Sequence, residues 1–261
     1  MNTDNELKDI VKEKYGEIAK STNSCCCGSS KIVDYTIMKD NYENLEGYVK
    51  EADLGLGCGL PTEFANISKG DIVVDLGSGA GNDVFIARSI VGENGLVIGI
   101  DMTEDMIDLA EKNKAKLGFT NIEFKLGEIE SLPLTDNLAD VVVSNCVLNL
   151  VPNKQKAFSE IHRVLKNGGH FCISDIVLKG ELPPQFKKSA ELYAGCVSGA
   201  LQREEYLGLI DESGFKDVKV VKTKTITLPD SILIKYLNEE ELKNYKDNSI
   251  GIFSITVYGN K

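Results

Sequence analysis

The stretch Asp75-Leu-Gly77-Ser-Gly79-Ala-Gly81-Asn82 decides the fold of this chain. It follows an apolar run typical of a buried strand and precedes apolar side chains at helical spacing. Glycines at alternate positions let the backbone turn tightly and approach a ligand with no Cβ in the way. The nicotinamide fingerprint would need a glycine at position 82, where this chain has Asn82. The motif predicts a strand-to-helix turn, which is either an ordinary turn or a ligand site.

Outward from this turn, short apolar runs alternate with helical patterns. The runs predict five buried strands, at Ile72–Leu76, Leu96–Ile100, Ile122–Leu126, Val141–Ser144 and His170–Leu178. The patterns between them predict helices over Asn82–Ile90, Glu104–Leu117 and Lys154–Leu165. Strands that are apolar throughout and separated by helices indicate a parallel sheet covered on both faces. The predicted fold class is therefore α/β, with a doubly wound sheet.

Both ends of the chain extend this sheet domain. Apolar residues at helical spacing predict a first helix that runs to about Lys20, before a cysteine-bearing loop. Two further strands are predicted at Val218–Val221 and Ile252–Val257. We expect three parts: an N-terminal helical and loop extension over 1–60, the sheet domain over 61–225, and a C-terminal α+β addition to the same domain over 226–261.

The composition argues against some partners and locations. The chain has 261 residues, with 40 acidic against 29 basic side chains and a net charge of −11. Binding a phosphate backbone takes a dense basic surface, so we expect no nucleic-acid partner. No apolar run is long enough to span a membrane, and the acidic N-terminus does not resemble a signal peptide. We therefore expect a cytoplasmic protein without a membrane partner.

Acidic residues follow the second and third predicted strands. Asp101 lies twenty positions beyond Gly81, where an acid can accept hydrogen bonds from both hydroxyls of a ribose. Glu128 follows the third strand. Because the carboxyl ends of parallel strands meet at one edge of a sheet, we expect the loop and these acids to form one site. For Glu128 alone, a solvated loop acid is an equally good interpretation.

Five motifs carry a resemblance to a known family. They are Asp75-x-Gly-x-Gly-x-Gly81, Asp101, Gly127-Glu-x-Glu-x-Leu-Pro133, Asp140-Val-Val-Val-Ser and Arg163-Val-Leu-Lys-Asn-Gly-Gly169. With these motifs the chain resembles the class I S-adenosylmethionine-dependent methyltransferases, whose sheet is Rossmann-like. The resemblance implies that Asp101 binds the ribose, that Glu128 meets the adenine amino group and that the glycine loop holds the methionine part. The implied loop residues are Asp75, Gly77, Gly79 and Gly81, and the implied ring-packing residues are Met102 and Ile129.

Cysteine usage needs its own explanation. Seven is an odd number, which excludes a fully paired disulfide framework. Three cysteines are adjacent, at 25–27; Cys146 follows the fourth predicted strand; Cys58 and Cys196 are flanked by glycine. None has the spacing of a zinc site. A single buried cysteine is most often a small apolar residue, and we expect Cys172, inside the fifth strand, to belong to the core.

Three cysteine-containing segments narrow the resemblance from the methyltransferase class to one family within it. They are Gly57-Cys-Gly59, Val143-Ser-Asn-Cys146-Val-Leu-Asn-Leu150 and Gly195-Cys-Val-Ser-Gly-Ala200. The chain resembles the arsenite methyltransferases, particularly their bacterial and archaeal branch, over about residues 8–227. The resemblance implies that Cys146 and Cys196 hold trivalent arsenic throughout and that Cys58 is a third ligand that exchanges. It also implies a role for one of Cys25, Cys26 and Cys27, without choosing among them. Asn145 is a candidate for contact with the methionine part of S-adenosylmethionine.

The implied activity is methyl transfer from S-adenosylmethionine to thiol-bound trivalent arsenic, giving mono- and dimethylated products. A small thiol, or a thioredoxin- or glutathione-type partner, would be the reductant. Arsenic bound by sulfur keeps a lone pair and carries no proton, so no general base is needed and positioning dominates. Two alternatives stay open: a methyltransferase for a small organic acceptor, and a non-catalytic thiol-rich metalloid-binding protein. The dispersed cysteines speak against the first alternative, and the intact Asp75 loop speaks against the second.

Overall fold

The computed structural model describes residues 4–21, 40–180, 199–227, 233–234, 237–247 and 251–261. The helices are α1 (Asp4–Ser21), α2 (Pro61–Phe64), α3 (Asn82–Val91), α4 (Glu104–Leu117), α5 (Lys154–Val164), α6 (Arg203–Glu212) and α7 (Glu239–Lys246). The strands are β1 (Ile72–Leu76), β2 (Leu96–Asp101), β3 (Ile122–Leu126), β4 (Ala139–Asn145), β5 (Leu165–Lys179), β6 (Lys216–Ile226) and β7 (Gly251–Asn260). Short 3₁₀ turns lie at Lys50–Ala52 and Leu148–Leu150.

The strands form one sheet in the order β3-β2-β1-β4-β5-β7-β6. Strands β1 to β5 are parallel, with Leu76 of β1 paired to Ile100 of β2 and to Ser144 of β4. The chain first adds strands on one side of β1 and then on the other, so the strand order reverses between β1 and β4. In an open α/β sheet the ligand binds beyond the carboxyl ends of the strands at this point.

Alternate residues of the strands face two separate apolar layers. Val73 of β1 packs with Phe85 of α3 and Met106 of α4 on one face. Val74 packs with Phe158 of α5 and with residues of α6 on the other. Because both faces are covered by helices, the central strands are apolar throughout, which is the pattern that the sequence shows.

The α/β prediction and the five parallel strands are confirmed, and strand ends differ from the predicted ones by a few residues. β6 is longer than the predicted Val218–Val221, and its extension beyond Val221 alternates lysine with threonine up to Ile226, so no apolar run marks it in the sequence. β7 lies between β5 and β6 and is antiparallel to both. The predicted C-terminal addition therefore supplies an internal strand of the same sheet. The division of the chain at residues 60 and 225 stays a prediction.

The helix α1 packs on α4, and its Lys8 pairs with Glu128 and Glu130, which follow β3. Val11 of α1 is buried in an apolar cluster with Cys58 and Cys146. Lys20 pairs with Asp105 of α4 at 2.9 Å. The predicted end of this helix near Lys20 agrees with the observed end at Ser21. Among the described residues, no helix combines the length and apolarity that crossing a membrane requires.

Candidate active site

One large cleft opens at the carboxyl ends of β1 to β4, under α1. Most of the site residues predicted from the sequence line it, namely Asp75, Gly77, Gly79, Asp101, Met102, Glu128, Ile129, Asn145 and Cys146. Gly81 and Cys58 do not line the cleft themselves, but their sequence neighbours Ala80, Asn82 and Gly57 do. Cys196, Cys25, Cys26 and Cys27 lie outside the described residues. The structure thus brings the predicted residues from four strand ends to one place.

The glycine loop folds as it does because three of its positions, Gly77, Gly79 and Gly81, have φ > 0. Gly77 has a φ of +71°, and a Cβ there would overlap the side chain of Val147. Gly79 has a φ of +50°, and a Cβ there would meet no protein atom within 4 Å, so this position faces open cleft. Gly77 N donates to Ile100 O at 2.8 Å, which ties the loop to β2. The loop presents backbone to the cleft at close range.

Two buried polar atoms of the cleft wall are unsatisfied among the described residues. Ser78 Oγ and Asn82 Oδ1 have no hydrogen-bond partner there, and both residues line the cleft. A buried polar group without a partner costs stability, so such atoms mark places where a ligand can bind. These two atoms lie in the loop that the resemblance assigns to the methionine part of S-adenosylmethionine.

Asp101 is fixed by backbone N–H groups at the end of β2. Its Oδ2 accepts from Gly79 N at 2.9 Å and its Oδ1 from Thr103 N at 2.9 Å. Burial raises the pKa of this carboxyl, and the backbone hydrogen bonds oppose that shift. Each carboxylate oxygen can accept more than one hydrogen bond, so both oxygens retain capacity for ribose hydroxyls.

Two further carboxyls, Asp75 and Asp83, are buried on either side of the glycine loop. Burial raises the pKa of Asp75 well above its usual range, and the neighbouring charge of Asp83 adds to this. The pKa of Asp83 is raised to about 6, also by burial. Both side chains line the cleft. A cationic ligand would stabilise the ionised forms of these acids, and S-adenosylmethionine carries a sulfonium and an ammonium group.

The acids after β3 have different surroundings. Glu128 pairs with Lys8 at 2.7 Å and with Lys12 at 3.4 Å, both from α1, and its side chain is 40 % exposed. Glu130 also pairs with Lys8, accepts a hydrogen bond from Asn153 N at 3.0 Å and is 8 % exposed. The Lys8 hydrogen bond holds the pKa of Glu128 below its usual range. Sequence reasoning did not select Glu130 or Lys8, because their pairing joins residues 122 positions apart.

Asn145 links the two cysteine segments. Its Oδ1 accepts hydrogen bonds from Cys58 N at 3.0 Å and Gly59 N at 3.2 Å. Its Nδ2 contacts Tyr42 Oη and donates to Gly59 O at 2.9 Å and to Asp83 at 3.1 Å. The side chain that precedes Cys146 therefore holds the backbone of Cys58. This link is the observed role of Asn145, and its contact with a bound methionine moiety stays a prediction.

The described cysteines lie in two layers of the core. Cys58 and Cys146 are buried in one apolar cluster, and Cys146 lines the cleft. Cys146 has a φ of +63°, and its N donates to Ser174 O at 2.7 Å. Cys172 packs in the other layer, where burial raises the pKa of its thiol to about 12. The expectation that Cys172 is a core residue is confirmed.

Among the described residues, neither His162 nor His170 lies in a metal-ligand environment. His170 Nε2 is hydrogen-bonded to Ala65 O at 2.6 Å, and the ring of His162 packs edge-on against Phe215. Within the described part of the chain, no group of three or more histidine, cysteine or acidic side chains could hold a metal ion.

Comparisons with known proteins agree with this geometry. Residues 67–214 match a family model described as a methyltransferase domain. The chain is 40% identical over 229 residues to an arsenite methyltransferase of Halobacterium salinarum, a match that covers 82% of this chain and 59% of the relative. An arsenite methyltransferase of Aquipseudomonas alcaligenes is 32% identical over 244 residues, covering 89% and 69%.

A solved structure is similar as well. The crystal structure of an arsenic (III) S-adenosylmethionine methyltransferase from Chlamydomonas reinhardtii has a TM-score of 0.67 and 35% sequence identity, and the match covers 78% of this chain and 67% of that one. The chain thus spans about six to seven tenths of the length of these relatives.

Proposed function

Because the chain belongs to the arsenite methyltransferases, within the class I S-adenosylmethionine-dependent methyltransferases, we propose that it transfers methyl groups from S-adenosylmethionine to trivalent arsenic held by its own thiols. One observation carries the proposal. Cys146 lines the cleft at the carboxyl end of β4, and the next residue, Val147, abuts Gly77 of the loop after β1. A soft thiol ligand therefore lies across the strand-order reversal from the glycine loop.

We assign the walls of the cleft to the parts of S-adenosylmethionine, which supplies an electrophilic methyl group on its sulfonium. Asp101 would accept hydrogen bonds from the ribose, and Met102 and Ile129 would pack against the adenine. The glycine loop with Asp75 would hold the methionine part, where Ser78 Oγ and Asn82 Oδ1 lack protein partners. The buried acids of this loop favour a cationic group.

We assign the acceptor to Cys58, Cys146 and Cys196. Trivalent arsenic is thiophilic, and arsenic bound by sulfur keeps a lone pair with no proton to remove. The protein then needs no general base and contributes mainly by positioning. The hydrogen bonds from Cys58 N and Gly59 N to Asn145 Oδ1 support this assignment, because they couple the Cys58 segment to the residue before Cys146.

We place the protein in the reducing cytoplasm, where its thiols stay available for arsenic. A small thiol, or a thioredoxin- or glutathione-type protein, would restore them after each cycle, and mono- and dimethylated arsenicals would be the products. The acidic balance of the chain supports the absence of a nucleic-acid partner.

One assay tests the proposed function. The protein is incubated with arsenite, S-adenosylmethionine and a small thiol, and the arsenic species are separated by chromatography with elemental detection. Methylated arsenic that grows with time and requires S-adenosylmethionine is the expected result. If neither arsenite nor methylarsonite is methylated, the proposal is wrong. Arsenite that stays bound without consumption of S-adenosylmethionine would instead indicate a binding protein.

A further inference from the structure

A buried carboxyl beneath the Cys146 segment has no part in the proposed transfer. Asp175 lies in the middle of β5 and is fully buried. Burial raises the pKa of this carboxyl to about 7, although hydrogen bonds and the charge of Lys154 oppose the shift. Tyr206, also titratable, donates a hydrogen bond to it. A buried carboxyl costs the fold stability in its ionised form, so its position calls for a reason.

Asp175 fastens the turn after Cys146 to β5. Asn149 Nδ2 donates to Asp175 Oδ1 at 2.7 Å and to Ile176 O at 2.7 Å. At the other end of the turn, Cys146 N donates to Ser174 O at 2.7 Å. Three successive residues of β5 therefore hold both ends of the segment from Cys146 to Asn149.

The turn needs this support because the backbone of Cys146 is strained. Its φ of +63° lies in the left-handed region, which costs a residue with a Cβ about 1–2 kcal/mol. Such a conformation persists only where the surrounding contacts over-determine it. Asn149 is buried, and its Oδ1 has no partner among the described residues, so its side-chain anchorage comes from the two Nδ2 bonds.

The same carboxyl also reaches α6. Tyr206 Oη donates to Asp175 Oδ2 at 3.3 Å, and the Tyr206 side chain is fully buried. α6 begins at Arg203, seven residues after Cys196 in the sequence. Asp175 thus connects the Cys146 turn with the helix that follows the third candidate thiol ligand along the chain.

We propose that Asp175 is a positioning residue of the thiol site, which fixes the Cys146 turn through Asn149 and aligns it with α6 through Tyr206. The substrate in this proposal rests on the proposed function, whereas the fixing of Cys146 does not depend on it. Loss of the link would leave the thiol present but displaced, and displacement by about 1 Å can cost about 100-fold in rate.

The test compares Asp175→Leu, which removes both links, with Asp175→Asn, which keeps an oxygen for Asn149. Asp140→Leu is the matched control. Asp140 also accepts a hydrogen bond from the backbone, from Ile72 N at 2.9 Å, and pairs with Lys166, but it lies at the opposite end of the sheet. Each variant is assayed for kcat and KM with arsenite. Alkylation of Cys146 by iodoacetamide, measured by peptide mass spectrometry without arsenic or S-adenosylmethionine, gives a readout independent of turnover.

We expect Asp175→Leu to lower kcat about 10- to 100-fold and to speed Cys146 alkylation several-fold, because the buried thiol is released. Asp175→Asn should keep kcat and the Cys146 alkylation rate near those of the wild type. Asp140→Leu should lower the melting temperature and leave kcat and the alkylation rate unchanged. A folded Asp175→Leu protein with wild-type kcat and alkylation rate would overturn the proposal, as would an Asp175→Asn variant as impaired as Asp175→Leu. If Asp175→Leu does not fold, Asn149→Ala removes the link between Asp175 and the Cys146 turn and keeps the one to Tyr206, and the same changes in kcat and alkylation rate are expected.

The two proposals fail separately. If the wild-type protein forms no methylated arsenic, the proposed function is wrong, and the alkylation rates of the same variants decide whether Asp175 positions Cys146. If the wild type methylates arsenite but the Asp175→Leu rates match it, only the positioning role is wrong.

Discussion

The donor side and the thiol side of the cleft are built in different ways. The donor side uses the ends of β1, β2 and β3, which follow one another in the chain, and its shape comes from glycines and backbone hydrogen bonds. The thiol side draws on segments around Cys58 and Cys146, which are 88 residues apart, and depends on side-chain links such as Asn145. The comparison indicates that substitutions on one side should impair one substrate and spare the other.

The largest expected effect is on the thiol side. Cys146→Ser replaces a soft ligand of arsenic with a hard oxygen, so methylation of both arsenite and methylarsonite should be abolished. Binding of S-adenosylmethionine, measured by calorimetry, should stay close to that of the wild type. Cys172→Ser is the control and should turn over normally, because Cys172 lies in the other core layer. If folded Cys146→Ser no longer binds S-adenosylmethionine, the two sides of the cleft do not act independently.

The reciprocal experiment changes Asp101. Asp101→Ala removes the acceptor expected for the ribose and also releases Gly79 N. A hydrogen bond to a charged group contributes about 1.5–3 kcal/mol, so the Kd for S-adenosylmethionine should rise about 10- to 100-fold. Arsenite binding, measured by equilibrium dialysis with elemental detection, should be unchanged. If Asp101→Ala weakens the binding of S-adenosylmethionine and of arsenite equally, the two sides are coupled.

A pair of glycine variants tests where the two sides touch. Gly77→Ala adds a Cβ that overlaps Val147, next to Cys146, whereas Gly79→Ala adds one that faces only the cleft. Both strain the backbone by about 1–2 kcal/mol. We expect Gly77→Ala to lower the free energy of unfolding further than Gly79→Ala, since Val147 must move. Gly79→Ala should instead act mainly on the Kd for S-adenosylmethionine, and identical unfolding curves for the two would contradict this contrast.

The smallest expected effect is a pH dependence confined to the donor side. The pKa of Asp83 is raised to about 6 by burial, so at lower pH this carboxyl is protonated and does not attract a cation. Affinity for S-adenosylmethionine should therefore increase as pH rises through about 6, and Asp83→Asn should flatten this part of the profile. The stability of the ligand-free protein should change in the opposite sense, falling over the same range, because the raised pKa favours the protonated folded state.

The sequence was most informative where the structure depends on local pattern. The strands β1 to β5 are apolar runs between helices, and their carboxyl ends must meet, so the cleft and residues such as Asp101 could be located without coordinates. The position of β7 between β5 and β6 could not be predicted from the sequence, because it depends on pairing between strands that are distant in the chain. The same holds for the contacts of Lys8 with Glu130 and of Asn149 with Asp175, which no spacing rule indicates.

The position of β7 in the sheet also sets the order in which the strands can pair during synthesis. β6 emerges from the ribosome before β7, yet among the described strands it pairs only with β7. Until β7 is made, β5 keeps an open edge that can pair with a neighbouring chain. Ser254 of β7 donates to Cys58 O at 2.7 Å, so the Cys58 backbone gains this contact only after residue 254 is synthesised. The strands of the donor side can thus assemble during translation, whereas the thiol side is completed late.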